Sequence, residues 1–202
     1  MIVKDESHII ARTLKMLYEK IEFDYWVIRE YVPDYICDEI IKNHNDFSIS
    51  TLHDGAVMDD YRKSGVCWVN EPFYKNLVFD IICRQNRNSG LNFQLDCLED
   101  VQITRYVAPD GHFDFHIDGN GHARENVDDS VRKLSMTCLL SDPSEFEGGV
   151  FEMTSGKTGT FNIDLEKGDI VIFPSYKLHR VSPVTKGVRH SMVAWGHGRA
   201  FV

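Results

Sequence analysis

The segment from Gly111 to Asp118 alternates polar and apolar residues with a period of two. If this segment is a β-strand, Asp114, His116 and Asp118 project from one face, because side chains alternate between the two faces of a strand. A neighbouring imidazole and carboxylate, completed by a second imidazole, form the two-His, one-carboxylate set that binds Fe(II) and leaves coordination positions open. His179 is the candidate for the second imidazole. The segment therefore predicts a metal site.

Three His-x-Asp triplets occur in the chain, so a match to the spacing alone carries a risk of coincidence. The triplet at His44 closes a predicted helix, where it is expected to cap or solvate the helix end. The triplet at His112 directly follows a turn, whereas the triplet at His116 lies deeper in the strand and is favoured. Polar residues on a half-exposed strand remain the alternative reading. For His112, His122 and His190 we expect structural roles.

Length and composition fit one globular domain: the chain has 202 residues, of which 43% are hydrophobic and 26% charged. The N-terminal residues are charged and include no long apolar run, so neither a signal peptide nor a membrane span is predicted, and a cytoplasmic location is expected. The net charge of -9 disfavours nucleic-acid partners and suits a neutral or basic one. Five scattered cysteines predict reduced thiols rather than disulfides or a zinc cluster: Cys37, Cys67, Cys83, Cys97 and Cys138.

Helices are predicted in the first part of the chain. The spacing of apolar residues predicts a helix over 8–20, a strand from Tyr25 to Tyr31, and a second helix that begins at Pro33-Asp34. Pro72 is expected to open a third helix, because proline is favoured in a first helical turn. The apolar residues assigned to the buried face of this third helix are Phe73, Leu77, Val78, Ile81 and Ile82.

From Leu91 onward the pattern changes to short strands separated by Gly, Pro, Asp and Asn turns. A run of strands after helices predicts a mainly β fold with flanking α-helices, specifically a double-stranded β-helix, or jelly-roll, barrel. We expect a single domain over 1–202, with helical support over about 1–90 and the jelly-roll core over about 91–202. The predicted strands are 91–97, 101–107, 112–118, 133–140, 149–153, 159–163, 169–173 and 189–195.

Two polar, irregular stretches are candidates for lids over a site. One covers 48–65, and the other covers 119–132 and follows the favoured metal pair directly. Loops of this kind close over substrates in many enzymes, although surface loops without a function are more common.

Several further motifs surround the favoured pair. Arg105-Tyr106, Gly111 and Phe113 precede His116-Ile-Asp118; the run Leu134 to Pro143 precedes Gly148-Gly149; and Gly168 to Ser175, His179 to Val184 and Gly187-Val-Arg189 follow. With these motifs, the chain from about Tyr31 to Trp195 resembles the 2-oxoglutarate and Fe(II)-dependent oxygenases. The resemblance is strongest to the prolyl 4-hydroxylase-like branch and its PKHD-type hydroxylases. In that family a glycine precedes the metal histidine by five residues, which favours the triplet at His116.

The resemblance implies that His116, Asp118 and His179 bind the iron. It also implies that Arg189, ten residues after His179, binds the far carboxylate of 2-oxoglutarate. Arginine suits this role because its planar guanidinium binds a carboxylate through two parallel hydrogen bonds and stays charged. An exposed surface ion pair is the alternative for Arg189.

Three more residues are implied as cosubstrate contacts. Tyr106 matches a family position near the metal-chelating end of 2-oxoglutarate, and Thr137 lies on the adjacent core strand. Ser191 shares a strand face with Arg189 and is a candidate donor to the same carboxylate, or else a buried hydroxyl bonded to backbone. Leu139 stands where some animal prolyl hydroxylases have a tyrosine, so an identical pocket is not implied.

The implied activity is hydroxylation of an unactivated C–H bond with Fe(II), 2-oxoglutarate and O2, with ascorbate as reductant and succinate and CO2 as coproducts. A prolyl or other residue of a protein or peptide is the expected substrate, and a free amino acid or small metabolite is the alternative. Nucleic-acid demethylation is disfavoured, because those relatives have a second arginine where this chain has Trp195. Outside the oxygenases, a non-catalytic cupin-like metal-binding module remains open, as does a zinc-dependent hydrolase that uses Asp114 or His112 as general base.

Overall fold

A computed structural model describes residues 25–50, 59–118, 130–156 and 159–200. Within these ranges the chain forms helices α1 (Asp34–Asn43) and α2 (Pro72–Ser89) and a short 3-10 helix, Pro143–Glu145. No helix in these ranges is long and apolar enough to cross a membrane. The strands are β1 (Trp26–Ile28), β2 (Ser48–Ile49), β3 (Arg62–Lys63), β4 (Gly65–Val69), β5 (Cys97–Leu98), β6 (Val101–Val107), β7 (Gly111–His116), β8 (Ser130–Leu139), β9 (Phe146–Gly148), β10 (Phe151–Ser155), β11 (Gly159–Ile163), β12 (Ile170–Pro174) and β13 (His179–Arg199).

These strands form two antiparallel sheets that share β13. The major sheet has the order β1-β12-β8-β13-β6-β4-β2, and β5 also pairs with β13. In the minor sheet, β13 pairs with β7, β9 and β10, and β3 and β11 extend it. Irregular register in the first part of β13 marks bulges, which bend a strand. Because one strand passes from one sheet to the other, the two sheets enclose an interior.

The two faces of the major sheet carry different layers of core. Even-numbered residues of β8, such as Leu134 and Met136, pack against apolar residues of α1 and α2. Odd-numbered residues of β8 therefore point to the opposite, inner face, since strand side chains alternate. The inner apolar cluster comprises Tyr106, Phe151, Met153, Ile163, Val171, Phe173, Val181 and Val184. Side chains that are meant to meet a ligand must lie on this inner face.

Both described helices begin where the sequence predicts, but the buried face of α2 was partly wrong. Val78 and Ile82 are buried, whereas Phe73 is 72% and Leu77 46% exposed. Asn86 explains the difference, because its side chain hydrogen-bonds both backbone groups of Phe93. A helix anchored through Asn86 turns the residues spaced by four from it, Ile82 and Val78, toward the sheet.

The same anchor explains a wrongly predicted strand over 91–97. Only Cys97–Leu98 is a strand, and 91–96 run without a partner strand. The Asn86 amide satisfies the N–H and C=O of Phe93 at 2.9 and 2.8 Å, bonds that a neighbouring strand otherwise supplies. Asn92 has a φ of 49°, which interrupts an extended conformation.

Other bounds agree or shift by small amounts. The strands over 101–107 and 159–163 are confirmed, and the strand predicted over 189–195 is the second half of the much longer β13. The strand predicted from Tyr25 to Tyr31 covers only Trp26–Ile28, because Glu30 turns with a φ of 50°. Strands β2, β3, β4 and β9 were not predicted. The helix over 8–20 lies outside the described residues and stays a prediction, as does the extent of the domain.

The two candidate lids lie partly outside the described residues. Of the stretch 48–65, residues 51–58 are not described, and the rest includes β2 and β3. Of the stretch 119–132, only the last three residues are described, and they begin β8. All five cysteines lie in described ranges and are free, but only Cys37 and Cys138 are buried in the core.

His190 should make the stability of the protein sensitive to acid. Burial, followed by the charges of Arg105 and Arg189, lowers the His190 pKa from 6.5 to about 4. Between these two pH values, His190 is protonated in the unfolded chain but neutral in the folded chain. The contribution of His190 to the free energy of unfolding is therefore fully present above pH 6.5 and declines as the pH falls toward 4. His190→Gln removes the titrating imidazole, so the free energy of unfolding of this variant should decline less over the same pH range. Denaturant unfolding of both proteins over this range checks it; parallel declines would contradict the prediction.

Candidate metal and cosubstrate site

Two histidines meet where the minor sheet opens. His116 ends β7, His179 begins β13, and the two residues pair across the sheet with ring centroids 4.2 Å apart. The Nδ1 atom of His116 lies 2.7 Å from the Asp114 carbonyl, and that of His179 lies 2.8 Å from the Lys177 carbonyl. A carbonyl only accepts hydrogen bonds, so each Nδ1 carries the proton and each Nε2 keeps a lone pair. This is the tautomer in which histidine binds a metal through Nε2.

Asp118 faces both Nε2 atoms. Its Oδ1 lies 3.7 Å from Nε2 of His116, and its Oδ2 lies 3.5 Å from Nε2 of His179. One ligand atom from each of the three residues falls within 4.8 Å of the others. Ser135 Oγ donates to Oδ2 of Asp118 at 2.7 Å, which fixes the orientation of the carboxylate. The three residues thus present a compact set of oxygen and nitrogen donors.

Asp118 comes to lie beside His116 through a different backbone path from the continuous strand that the sequence predicts. The strand predicted over 112–118 ends at His116, and the N–H of Asp118 bonds the Ser175 carbonyl at 2.9 Å. A turn toward β12, rather than strand alternation, therefore places Asp118 beside His116. The Asp114 side chain is 51% exposed and lies 4.0 Å from Arg180, away from the triad.

Protonation states in the triad suit a divalent cation. Burial alone raises the Asp118 pKa, but the charges of His179, His116 and Arg132 and the Ser135 hydrogen bond together outweigh it and lower the pKa to about 2. Burial, followed by the charge of His179, lowers the His116 pKa to about 3. At neutral pH the carboxylate is ionised and His116 is neutral, the states in which both bind metals.

The other two His-x-Asp triplets have different surroundings. His44 follows α1, and its Nδ1 lies 2.9 Å from the Ile40 carbonyl, so it serves the helix end as predicted. The ring nitrogens of His112 lie 2.7 Å from the Asp110 carbonyl and 3.3 Å from the Asp60 carbonyl. A neutral imidazole has one N–H, which the shorter distance places on Nδ1, so Nε2 faces the Asp60 carbonyl. His112 also lies outside the group of metal-ligand atoms found among the described residues.

Arg189 lies on the inner face with no counter-ion among the described residues. It pairs with Tyr106 of β6, is 2% exposed, and its Nη1 is buried with no hydrogen-bond partner among the described residues. An unpaired buried charge costs several kcal/mol, so such a group is normally matched by a ligand or a partner. A Cβ on Gly149, whose φ is +60°, would lie 2.8 Å from Cδ of Arg189. The glycine therefore leaves the room that the guanidinium occupies.

The remaining predicted cosubstrate residues lie on the same inner face. Tyr106 is 4%, Thr137 6% and Ser191 1% exposed. Ser191 pairs with Leu139 on one side and Thr104 on the other, and Thr137 lies opposite Val193. Leu139 keeps this part of the interior apolar. The structure thus brings Tyr106, Thr137, Ser191 and Arg189 into one buried space that the triad borders.

Sequence reasoning missed several side chains around the triad. Ser135 had a usable signal, since it shares a strand face with Thr137. Arg62 lies 4.5 Å over the Phe113 ring, which stacks on His116 at 3.5 Å. The other missed contacts join residues distant in sequence: Arg132 bonds Glu99 and lies 3.8 Å over the Trp195 ring. No short-range sequence pattern predicts contacts between residues so far apart in the chain.

The segment that contains this site is similar to a known protein family. Residues 101–197 match the model of the 2OG-Fe(II) oxygenase superfamily, and this segment contains the triad and Arg189. This segment, just under half of the chain, is therefore similar to the 2OG-Fe(II) oxygenase superfamily. Among similar proteins, a PKHD-type hydroxylase of Pseudomonas fluorescens is 40% identical over 94 residues, which are 46% of this chain and 41% of that protein. Another from Nitrosomonas europaea is 35% identical over 133 residues, 59% of this chain and 54% of that protein.

The chain therefore spans about half the length of these PKHD-type superfamily relatives. Two solved structures are also similar. A Pseudomonas putida prolyl-4-hydroxylase has a TM-score of 0.69 at 16% identity, with 92% of this chain and 98% of that chain covered. A prolyl hydroxylase from Trichoplax adhaerens has a TM-score of 0.68 at 15% identity, with 96% and 94% covered. At such identity the likeness shows a shared fold.

Proposed function

We propose that this protein is a 2-oxoglutarate- and Fe(II)-dependent dioxygenase that hydroxylates an unactivated C–H bond and releases succinate and CO2. One observation carries the proposal: the His116, Asp118 and His179 group borders the same interior in which Arg189 is buried with no counter-ion in the described part of the chain. A metal ion would find two imidazoles and a carboxylate as ligands, and a dicarboxylic acid would find a buried guanidinium for its far carboxylate.

Fe(II) would be held by Nε2 of both histidines and a carboxylate oxygen of Asp118. When bound, it would supply O2 activation and oxidation of the C–H bond. The chain's own contribution is to fix the ligands. The Asp114 and Lys177 carbonyls hold the two imidazoles, and Ser135 holds the carboxylate. Phe113 stacks on the His116 ring, and Phe173 contacts the His179 ring in a T-shaped arrangement, so both limit the access of water to the imidazoles.

The dicarboxylic cosubstrate would place its far carboxylate on Arg189. The guanidinium would then gain charge-assisted hydrogen bonds that it otherwise lacks. We assign Ser191 as a second donor to that carboxylate, and Tyr106 and Thr137 as contacts nearer the metal. The burial of all four side chains supports these assignments, because low solvent access strengthens each polar contact.

A prolyl or other residue of a protein or peptide is the proposed substrate. The Trichoplax adhaerens neighbour was solved in complex with a hypoxia inducible factor oxygen degradation domain peptide fragment. The net charge of -9 would favour a neutral or basic peptide. Hydroxylation of a free amino acid or small metabolite is the second candidate.

Two other classes fit the site less well. A cupin-like metal-binding module has no need of a buried, unpaired arginine beside its metal. A zinc-dependent hydrolase would need a general base, yet Asp114 is half-exposed and both ring nitrogens of His112 face carbonyls.

The direct test is succinate formation from 2-oxoglutarate by the wild-type protein. With Fe(II), ascorbate and O2 we expect slow turnover without a second substrate and faster turnover with proline-containing peptides. Omission of Fe(II) or O2 should abolish both rates. Zinc-dependent hydrolysis of peptides, or iron binding without any binding of 2-oxoglutarate, would reject the dioxygenase in favour of the hydrolase or the binding module.

A further inference from the structure

Gln102 is a buried amide on the inner face that the proposed cosubstrate contacts do not include. In β6 it lies between Val193 of β13 and Trp68 of β4, on the same strand face as Thr104 and Tyr106. Gln102 is 5% exposed, and its Nε2 donates to Thr104 Oγ1 at 2.7 Å. This bond fixes the orientation of the amide.

Most of the hydrogen-bonding capacity of Gln102 is unused. A primary amide offers two N–H donors and a carbonyl acceptor, and only one donor is engaged by a described residue. Oε1 has no hydrogen-bond partner among the described residues and is not one of the fully buried unpartnered atoms, so a ligand in the interior can reach it. A peptide group presents the complementary pair of an acceptor and a donor.

Trp68 lies next to Gln102 and provides a flat apolar surface. Its side chain is 50% exposed, and its ring centroid lies 6.2 Å from that of Trp195. Trp195 pairs with Ser135, which in turn holds Asp118. Trp68 is thus connected to the triad through Trp195 and Ser135. Tryptophan gives large contact area at a low cost in conformational entropy.

We propose that Gln102 and Trp68 form a subsite that binds a peptide group of the substrate and the apolar side chain next to it. Gln102 pairs with a peptide group next to the residue that is hydroxylated, and Trp68 packs against the adjoining apolar side chain. This inference rests on the proposed function and names its substrate class. A free amino acid has neither the neutral peptide group nor the adjoining side chain, so it leaves both residues without a partner.

Tryptophan fluorescence tests the subsite independently of turnover. The chain has three tryptophans, so Trp26→Phe leaves Trp68 as the exposed reporter beside the buried Trp195. The probes are free L-proline and a library of blocked pentapeptides with central proline and varied neighbours, added to the anaerobic iron- and 2-oxoglutarate-loaded protein. Peptides with apolar neighbours should reduce acrylamide quenching, and free L-proline should not. Equal effects of free proline and the peptides, or no protection by any peptide, would overturn the subsite.

Variants then separate the two residues. Gln102→Met keeps the volume and removes the amide, so the KM for the best peptide should rise about tenfold, the value of roughly one hydrogen bond. Trp68→Ala should remove the preference for apolar neighbours, while Trp68→Phe should keep most of it. An unchanged preference in Trp68→Ala overturns the proposal. Succinate formation without peptide is measured in parallel, and its absence from the wild type would reject the dioxygenase rather than the subsite alone.

Discussion

Arg189→Met is expected to weaken 2-oxoglutarate binding by about a hundredfold, because two charge-assisted hydrogen bonds together contribute roughly 3 kcal/mol. Methionine preserves most of the side-chain length and removes the charge. The loss should appear as a raised KM for 2-oxoglutarate in succinate formation, and as weaker binding to the anaerobic iron-loaded protein.

The same substitution should leave the ligand-free protein at least as stable as the wild type. The buried guanidinium has no counter-ion among the described residues, and burial lowers its pKa, which means that folding opposes its charge. Replacing such a charge with an apolar side chain removes a desolvation cost. A residue whose loss improves folding but impairs ligand binding is retained for the ligand.

Arg199→Met is the matched control, since Arg199 lies at the exposed end of the same strand. It should change neither 2-oxoglutarate affinity nor ligand-free stability appreciably. Denaturant unfolding without ligand, and again with saturating 2-oxoglutarate, measures both effects on each protein. Wild-type affinity in Arg189→Met, or a large loss of its ligand-free stability, would show that the guanidinium serves the fold.

Local sequence pattern predicted those parts of the fold whose bounds depend on neighbours in the chain. The strand Val101–Val107 and the start of α1 at Asp34 follow from alternation and from a proline at the helix entry. The strand predicted over 91–97 failed because Asn86, which lies in α2 outside the strand pattern, satisfies the backbone of Phe93 instead. The full length of β13 was not predicted either. It depends on bulges and on pairing with several strands, not on the local alternation of polar and apolar residues.

For the site, sequence spacing and family resemblance named the triad and Arg189, but not what surrounds them. The position of Asp118 depends on a backbone bond to Ser175, which no periodicity encodes. Whether Arg189 has a counter-ion is likewise a property of the assembled interior. That none of the described residues supplies one depends on how the two sheets pack, which the local sequence does not encode.

Metal binding should produce the second large effect. A ligand that binds only the folded state at a hundred times its Kd stabilises by about 2.7 kcal/mol. For a domain of this size that energy corresponds to a rise in unfolding temperature of roughly 5–10 °C. Mn(II), which does not oxidise in air as Fe(II) does, should produce this rise in the wild type.

Asp118→Ala should abolish the rise, because it leaves two neutral imidazoles without the charge that a divalent cation requires. Asp114→Ala and His112→Ala test the neighbouring triplet and should keep the full rise, since neither side chain faces the triad. Ser135 retains the Ser175 hydroxyl as a partner at 2.9 Å when Asp118 is removed, which limits the damage to the fold. The decisive quantity is therefore the difference between metal-loaded and metal-free unfolding temperatures within each variant. A rise that survives in Asp118→Ala but disappears in Asp114→Ala would move the metal to the neighbouring triplet and remove the geometric basis for the dioxygenase.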